Sequence, residues 1–372
     1  MKNYHKEWIK NRVEAFKSIG YMFGESAEDI AKRYGFALQE IAKLDSNENL
    51  FIPKNELIKM IQEALLDDFD PRLYPREEAR RLINKISNYV KLPTEYIIIG
   101  NGSDEIMERV ARFALEKGDR ALSIAPTFSM YRHAVELQRA KYIEVPLKDD
   151  FSLNVKGILS KATPKTKILF ICSPNNPTAN RFETDDLVYL IDKFPGIVVV
   201  DEAYVEFSGG SLAPLVKEFD NLIVLRTFSK AFGLASFRLG YCLASPEISK
   251  TLSASIGLPY PVNTLALKVG VKILENVKIM QEAVEKLKIE RSRLIEDLRR
   301  VNGVYAFDSE TNFILIYTQK SAEDVYQGLL SRGIIVKNLG RILKFRNCFR
   351  VTVGLPEMNT KLIESLKEIL GE

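Results

Sequence analysis

Seven short apolar runs between residues 96 and 244 constrain the fold of this chain more than any other feature of its sequence. Several runs are apolar at consecutive positions, as in Val198-Val199-Val200, which is typical of strands covered on both faces. Helical patterns separate the runs, and this alternation predicts an α/β domain with a mostly parallel, seven-stranded sheet. The runs are 96–99, 121–124, 142–145, 168–171, 197–200, 222–225 and 239–244.

The pattern changes after about residue 260. Residues 264–300 contain one Gly and no Pro and repeat apolar residues at helical spacing, which predicts one long helix. Beyond it we expect short strands around 304–307, 312–316 and 349–353 and helices at 321–331 and 356–370. We therefore predict an N-terminal arm with part of a smaller α+β domain (1–50), a large domain (51–262) and the C-terminal part of the small domain (263–372).

The composition argues against several classes of protein. The chain has 53 basic and 49 acidic residues with no basic block, so we expect no nucleic-acid partner. It has neither about 18 consecutive apolar residues nor the apolar core of a signal peptide, so we expect no membrane association. Three scattered cysteines indicate a reducing, cytoplasmic location.

Only two histidines, His5 and His133, occur in the chain. A metal site built from several histidines is therefore not expected, and the cysteines have no metal-binding spacing. Acid–base chemistry must rest on Lys, Tyr, Asp or Glu. We expect no metal.

The segment Gly100-Asn101-Gly102-Ser103-Asp104 follows an apolar run and precedes a helical pattern. Backbone N–H groups at such a helix N-terminus suit a phosphate. The segment resembles a dinucleotide-binding fingerprint, but the third glycine of that pattern would fall at Glu105. Alone, it is better explained as an ordinary capped helix.

Two other polar segments follow apolar runs. Asp201-Glu202 ends one run, where ligands of α/β proteins bind. A similar pattern holds Mg²⁺ in NTPases, but the chain has no phosphate-binding G-x-x-x-x-G-K-[ST] segment, and Asp201 alone could be a helix cap. The second segment, residues 173–178, contains a Ser-Pro pair and an Asn-Pro pair, which predict a turn by themselves.

Lys230 is the residue that decides the function. A lone lysine after a strand is usually a solvated charge, but Thr227, Ser229 and Arg238 surround this one in sequence. Two hydroxyls and a guanidinium together suit a phosphate. A lysine beside such a phosphate site, with Asp201 at a neighbouring strand end, is the arrangement that binds pyridoxal 5′-phosphate.

The motifs together resemble those of fold type I, class II aminotransferases, and within these the histidinol-phosphate aminotransferases. The likeness runs from about residue 20 to the end of the chain. It is carried by Ser46-Asn47-Glu48-Asn49, Tyr74-Pro75, Gly102-Ser103-Asp104-Glu105, Ser173-Pro174-Asn175-Asn176-Pro177-Thr178, Asp201-Glu202-Ala203-Tyr204, Ser229-Lys230-Ala231-Phe232-Gly233-Leu234 and Phe349-Arg350-Val351-Thr352-Val353-Gly354.

The resemblance implies a role for each matching residue around the cofactor. Lys230 forms the imine and moves the proton, and Asp201 pairs with the ring nitrogen. Asn176 and Tyr204 bind the phenolic oxygen, and Phe128 stacks on the ring. The phosphate is held by residues of the helix start and the lysine segment: Gly102, Ser103, Asp104, Thr227, Ser229 and Arg238.

The resemblance also implies the substrate side and the assembly. Tyr74 would reach the cofactor phosphate of a second subunit, which makes the active unit a homodimer with shared active sites. Arg350 would bind the substrate carboxylate, with Asn47 and the arm residue Tyr21 nearby. Lys337 stands where the family usually has an arginine for the substrate phosphate, and Ala179 and Ser236 replace usual glycines.

The activity implied is amino transfer from histidinol phosphate to 2-oxoglutarate, a step of histidine biosynthesis. Two alternatives on the same fold remain, an aromatic amino acid aminotransferase and a phosphothreonine decarboxylase. A lyase that cleaves Cβ bonds with the same cofactor is a third. Because the decarboxylase shares nearly every cofactor motif, the sequence separates it poorly from the transferase.

Overall fold

Two β-sheets with helices packed around them make up the fold. The computed structural model describes residues 4–17, 19 and 24–372. The strands are β1 (Ala42–Leu44), β2 (Ile97–Gly100), β3 (Arg120–Ala125), β4 (Lys141–Pro146), β5 (Thr166–Cys172), β6 (Ile197–Asp201), β7 (Leu222–Thr227), β8 (Gly240–Leu243), β9 (Val304–Ala306), β10 (Phe313–Thr318), β11 (Ile334–Ile342) and β12 (Phe345–Thr352).

The α-helices occupy both the connections between strands and the two chain ends. They are α1 (Tyr4–Lys17), α2 (Ala27–Tyr34), α3 (Lys54–Leu66), α4 (Arg76–Val90), α5 (Ser103–Ala114), α6 (Met130–Leu137), α7 (Val155–Lys161), α8 (Thr184–Lys193), α9 (Pro246–Lys250), α10 (Thr264–Glu275), α11 (Val277–Arg300), α12 (Ala322–Leu330) and α13 (Pro356–Leu370). Within the described ranges, no helix is both long and apolar enough to cross a membrane.

The larger sheet has seven strands in the order β2-β8-β7-β6-β5-β3-β4. Neighbours are parallel from β7 to β4, whereas β8 runs antiparallel to both β7 and β2. Each of the seven apolar runs coincides with one of these strands, so the predicted mostly parallel sheet is confirmed. Val198, Val199 and Val200 are fully buried, as expected for a strand covered on both faces.

The parallel strands place three polar groups at one edge of this sheet. Cys172 ends β5, Asp201 ends β6 and Thr227 ends β7. Cys172 and Asp201 are direct neighbours in the register of the two strands. Because ligands of open α/β sheets bind outside the carboxyl ends of the strands, this edge is where a site is expected.

The smaller sheet combines strands from opposite ends of the chain in the order β1-β11-β12-β10-β9. Strand β1 pairs parallel with β11, and the remaining pairs are antiparallel. The three expected C-terminal strands lie at β9, β10 and β12. The sequence reasoning missed β11, because polar residues such as Lys337 and Asn338 interrupt its apolar pattern. The boundaries at residues 50 and 262 remain a proposal, which this pairing supports.

The expected long helix over 264–300 is wrong in one respect, because the structure divides it into α10 and α11 at Asn276. The backbone of Asn276 leaves helical geometry with φ −112° and ψ 36°. Its side-chain amide donates to the main-chain oxygen of Lys272 at 2.9 Å. A side chain that satisfies a carbonyl at a helix end stabilises the break.

Replacing Leu44 tests the attachment of β1 to the C-terminal strands. Leu44 is fully buried, so Leu44→Ala should lower the free energy of unfolding by about 2–5 kcal/mol. Urea denaturation followed by circular dichroism measures the change. Leu38→Ala is the control, because Leu38 is 51% exposed and its loss should cost less than about 0.5 kcal/mol. Equal effects of the two changes would contradict the buried role of β1.

Candidate active site

A cavity of about 760 Å³ lies at the carboxyl edge of the large sheet, and both sheets contribute to its walls. It brings together most of the site residues that the sequence predicts. Those lining it are Asn47, Ser103, Asp104, Phe128, Asn176, Asp201, Tyr204, Thr227, Ser229, Lys230, Lys337, Arg238 and Arg350.

Among the described residues, two predicted ones do not line the cavity of this chain, Gly102 and Tyr74. Gly102 lies directly before α5, next to the cavity residue Ser103. Tyr74 is 79% exposed, and its ring stacks on that of Tyr260 with a centroid distance of 4.7 Å. Tyr21 lies outside the described residues.

Lys230 follows β7 and projects a half-buried amine into the cavity. Its Nζ donates to the main-chain oxygen of Ser46 at 3.0 Å. Burial, followed by the positive charge of Arg350, lowers the pKa of Lys230 to about 8. Because an amine of this pKa is partly neutral near neutral pH, Lys230 can act as a nucleophile and as a base.

Asp201 is 4% exposed, and its two carboxylate oxygens have separate donors. The hydroxyl of Tyr131 donates to Oδ2 at 2.8 Å, and the backbone N–H of Ala203 donates to Oδ1 at 3.1 Å. Burial raises the pKa of Asp201 to about 6, and the two hydrogen bonds oppose that rise. The site thus holds a buried carboxylate that can pair with a cation.

Two glycines allow the segment before α5 to approach Arg238 and β8 closely. A Cβ at Gly102, whose φ is +85°, would lie 2.9 Å from Nη2 of Arg238, and one at Gly240 would lie 2.5 Å from the backbone nitrogen of Ser103. Nη2 of Arg238 also donates to Oδ2 of Asp104 at 3.1 Å. The start of α5 and the guanidinium are thereby held next to each other.

Two hydroxyls extend this group of donors. The backbone N–H of Ser229 donates to Oγ1 of Thr227 at 3.0 Å, and Nη1 of Arg238 lies 3.4 Å from Oγ of Ser229. The N-terminus of a helix, two hydroxyls and a guanidinium form a donor set that suits a phosphate.

A second group of hydrogen bonds connects the two sheets through the cavity wall. Nδ2 of Asn47 donates to the hydroxyl of Tyr204 at 3.0 Å. Nη1 of Arg350 donates to Oδ1 of Asn176 at 2.8 Å, and its Nη2 donates to the main-chain oxygen of Asp45. Burial raises the pKa of Tyr204 above its usual range, so its phenol stays neutral and can donate a hydrogen bond.

Lys337 and Arg350 supply positive charge from the small sheet. They are direct cross-strand partners on β11 and β12, and side chains of such partners lie on the same face of a sheet. Both line the cavity, as does Lys43 of β1, whose Nζ lies 2.8 Å from Oε2 of Glu48. The cavity therefore has a cationic side that is distinct from Arg238.

A buried ionic network supports the strand ends from behind. Arg226, which precedes Thr227, contacts Oε2 of Glu202 at 2.8 Å and Oε1 of Glu206 at 2.9 Å. All three charged side chains are at most 7% exposed. Because breaking such a buried pair on one side is strongly destabilising, the network holds the segments next to Asp201 and Thr227 in place.

The residues present fit a planar, phosphorylated pyridine aldehyde. Gly102 and Gly240 let the start of α5, Arg238 and β8 lie against one another, which groups the donors that suit a phosphate. Phe128 offers an aromatic face in the same cavity, Asp201 a buried carboxylate and Lys230 an amine with a lowered pKa. This donor set matches the chemistry of pyridoxal 5′-phosphate.

Comparison with known proteins identifies the family. The model of the family described as aminotransferase class I and II matches residues 39–366. The chain belongs to this family. Class I and II aminotransferases act with pyridoxal 5′-phosphate, and this is the cofactor of the chain. Their substrates are small molecules.

Relatives within the aminotransferases are similar over most of the chain. The histidinol-phosphate aminotransferase of Thermoanaerobacter pseudethanolicus is 39% identical over 88% of this chain and 93% of its own length. That of Caldanaerobacter subterraneus subsp. tengcongensis is 36% identical over 98% of this chain and 99% of its own.

Solved aminotransferase structures share the fold. The histidinol-phosphate aminotransferase of Sinorhizobium meliloti in complex with pyridoxal-5′-phosphate superposes with a TM-score of 0.84 at 22% identity, covering 94% of this chain and 95% of that one. The enzyme of Clostridium acetobutylicum gives a TM-score of 0.80 at 25% identity, with coverage of 88% and 99%. The predicted fold type I architecture is therefore confirmed.

The sequence reasoning missed several residues of this aminotransferase site. Tyr131 contacts Asp201 and lies three positions after Phe128, in the first turn of α6. Cys172 lines the cavity, and its place at the end of an apolar run is the signal that could have identified it. Lys43 also lines the cavity, but β1 is too short for its pattern to be recognised.

The lowered pKa of Lys230 predicts its reactivity. In the cofactor-free aminotransferase, trace acetylation of Lys230 should increase as the pH rises through about 8, because only the neutral amine reacts. Mass spectrometry of digests at a series of pH values measures the inflection.

Arg350→Gln should move that inflection to higher pH, because it removes a positive charge that lowers the pKa of Lys230. Arg341→Gln is the matched control, since Arg341 is exposed and outside the cavity lining. An inflection above about pH 10, the range of ordinary lysines, would contradict the assignment.

Proposed function

We propose that this aminotransferase transfers the amino group of histidinol phosphate to 2-oxoglutarate, in histidine biosynthesis in the cytoplasm. The observation that carries the substrate is the similarity to enzymes named histidinol-phosphate aminotransferase, at 34–39% identity over at least 88% of the chain. The paired cations Lys337 and Arg350 in the cavity agree with an anionic donor.

Lys230 is the central residue of the proposed mechanism. Pyridoxal 5′-phosphate, when bound, supplies an aldehyde that condenses with amines and a ring that accepts electrons from the adjacent carbon. Lys230 is the residue whose Nζ would hold that aldehyde. Because its pKa is about 8, a free Lys230 amine can take a proton from the Cα of the amino donor and can deliver one to a neighbouring carbon.

The other residues of the site would bind and orient the cofactor. Asp201 would pair with the ring nitrogen and favour its protonated form, and Asn176 and Tyr204 would donate to the phenolic oxygen. Phe128 would cover one face of the ring. The phosphate would be held by the backbone N–H groups of Ser103 and Asp104, next to Gly102, and by Thr227, Ser229 and Arg238.

The substrate side is proposed to lie at the small sheet. Arg350 binds the carboxylate of the glutamate half-reaction, and Asn47 orients Tyr204 beside it. Lys337 contributes the positive charge for the phosphate of histidinol phosphate. A lysine acts as a point charge, whereas an arginine would form a two-pronged hydrogen bond. Tyr21 is proposed to cover the same end of the substrate.

A homodimer with shared active sites completes the proposal. Tyr74 is exposed and lies outside the cavity of its own chain, so it can serve the phosphate only of another subunit. Its neighbours Leu73 and Leu66 are 68% and 86% exposed. Exposed apolar residues around an exposed aromatic pair are typical of a protein interface.

A half-reaction tests the proposed substrate. The cofactor-loaded enzyme is mixed with histidinol phosphate, glutamate, phenylalanine or phosphothreonine, and absorbance records conversion of the cofactor from aldehyde to amine form. We expect histidinol phosphate to exceed phenylalanine by about tenfold or more in second-order rate, since a hydrogen bond to a charged group is worth about 1.5–3 kcal/mol.

The outcome of this experiment distinguishes the proposed activity from the two alternatives. Faster conversion with phenylalanine would show an aromatic aminotransferase, and release of CO₂ from phosphothreonine would show a decarboxylase. Lys230→Ala is the control, because it should bind cofactor without retaining it covalently after borohydride reduction. Covalent retention by that variant would refute the role of Lys230.

Replacing Lys337 tests the phosphate end of the substrate. Lys337→Arg should lower KM for histidinol phosphate, because the guanidinium can form two hydrogen bonds to a phosphate. KM for glutamate should stay unchanged. Steady-state kinetics with each donor measures both values.

The control for this exchange is Lys344→Arg on the same hairpin. Lys344 is 55% exposed, lies 3.4 Å from Asp149 and does not line the cavity. Lys344→Arg should leave the KM values for histidinol phosphate and for glutamate unchanged. If Lys337→Arg changes both donors equally, Lys337 does not face the substrate phosphate.

A further inference from the structure

Tyr131 connects two elements of the cavity wall. Its hydroxyl donates to Oδ2 of Asp201 at 2.8 Å. Its ring stacks on Phe170 with a centroid distance of 5.0 Å and an interplanar angle of 7°, and it meets the ring of Phe128 edge-on at 5.7 Å and 86°. The side chain is fully buried, so packing restricts the direction in which the hydroxyl points.

The hydrogen bonds of Asp201 leave little freedom to its carboxylate. Within residues 24–372, the side-chain oxygens of Asp201 receive one hydrogen bond from Tyr131 and one from the backbone of Ala203. The Ala203 contact comes from two residues further along the chain and constrains Oδ1. The Tyr131 contact comes from α6 and constrains Oδ2, so the carboxylate plane depends on both.

We propose that Tyr131 is a positioning residue that orients Asp201 toward the cofactor ring and couples it to the ring-covering Phe128. This inference rests on the proposed function, because Asp201 acts on the ring nitrogen only in that function. Rigid support of this kind is what a catalytic group requires, since its geometry must hold within fractions of an ångström.

Tyr131 also supports the ionised form of Asp201. The other titratable groups around this carboxylate are Cys172 on β5, Tyr204 after β6, Glu202 at the next position and Asp104 at the start of α5. Glu202 and Asp104 are acids that raise the pKa of Asp201, as burial does, whereas the Tyr131 hydrogen bond lowers it. Removing that hydroxyl must therefore raise the pKa of Asp201 above about 6.

The test is cofactor binding to the cofactor-free protein. Tyr131→Phe removes the hydroxyl and keeps the ring. Fluorescence titration with pyridoxal 5′-phosphate between pH 5 and 9 should show about tenfold weaker binding. This factor is at the low end of what a hydrogen bond to a charged group contributes. The acidic limb of the binding profile should move to higher pH, because Asp201 then takes up its proton at higher pH.

Tyr241→Phe is the matched control. Tyr241 is 1% exposed, and its hydroxyl has no hydrogen-bond partner among the described residues. This exchange removes the same atom from the same kind of surroundings, so affinity and pH profile should stay at wild-type values. If Tyr131→Phe behaves like Tyr241→Phe in both cofactor affinity and pH profile, the proposed role of Tyr131 is wrong.

A double-mutant cycle separates positioning from general packing. If Tyr131 acts through Asp201, adding Tyr131→Phe to Asp201→Ala should weaken cofactor binding by no more than about twofold, because the acceptor is already gone. An equal tenfold loss in both backgrounds would show that the hydroxyl acts on packing.

Failure of the proposed function gives a different result. A wild-type protein that neither binds pyridoxal 5′-phosphate nor retains it after borohydride reduction would refute the cofactor chemistry itself. Wild-type binding with an unaffected Tyr131→Phe variant would overturn only the role of Tyr131. Thermal unfolding of Tyr131→Phe and Tyr241→Phe identifies a folding defect in either variant. Even in a less stable Tyr131→Phe variant, the shift of the pH profile still tests whether Tyr131 acts on Asp201.

Discussion

A carboxylate buried at the end of a parallel strand is the constraint on which the rest of this structure depends. Asp201 lies at the edge of a sheet whose strands are covered on both faces and is 4% exposed, so little water can solvate its charge. An isolated charge in such a place is costly. The fold offsets that cost with two donors and offers the remaining surface of the carboxylate to the cavity, where a protonated ring nitrogen would complete its partners.

The cavity has positive charge in two regions. Arg238 and the start of α5 lie beside the large sheet, whereas Lys337 and Arg350 are residues of the small sheet. Arg350 acts across the cavity on Lys230 and lowers its pKa. A substrate anion placed at Arg350 would screen that effect, so the basicity of Lys230 is coupled to the charge of the bound substrate.

Three residues in or beside this site have left-handed backbone conformations. Asn47, Ala179 and Arg238 adopt positive φ angles of 55°, 65° and 50°, a region that L-residues other than asparagine seldom enter. Asn47 is held there by its hydrogen bonds to Thr352 and Asn312. Ala179 occupies the left-handed conformation at a position where a glycine is usual in the family, and burial in the core keeps it there. Such conformations persist only where surrounding contacts determine them.

The sequence by itself determined the seven-stranded sheet and the cofactor class, and most of the site residues that it predicts line the cavity. Runs such as Val198-Val199-Val200 specify buried strands because their apolar side chains can be covered only in that way. The motifs around Asp201 and Lys230 were recognisable because each is contiguous, and the parallel sheet brings contiguous motifs to one edge.

Only the tertiary structure decided which distant residues act on one another. The contacts of Tyr131 with Asp201 and of Arg350 with Asn176 join positions far apart in the chain, and local patterns carry no information about such pairs. The pairing of β1 with β11 was invisible for the same reason, because a three-residue strand has too few positions to show a period. The pKa of Lys230 follows from burial and from Arg350, and both exist only once the two sheets have come together.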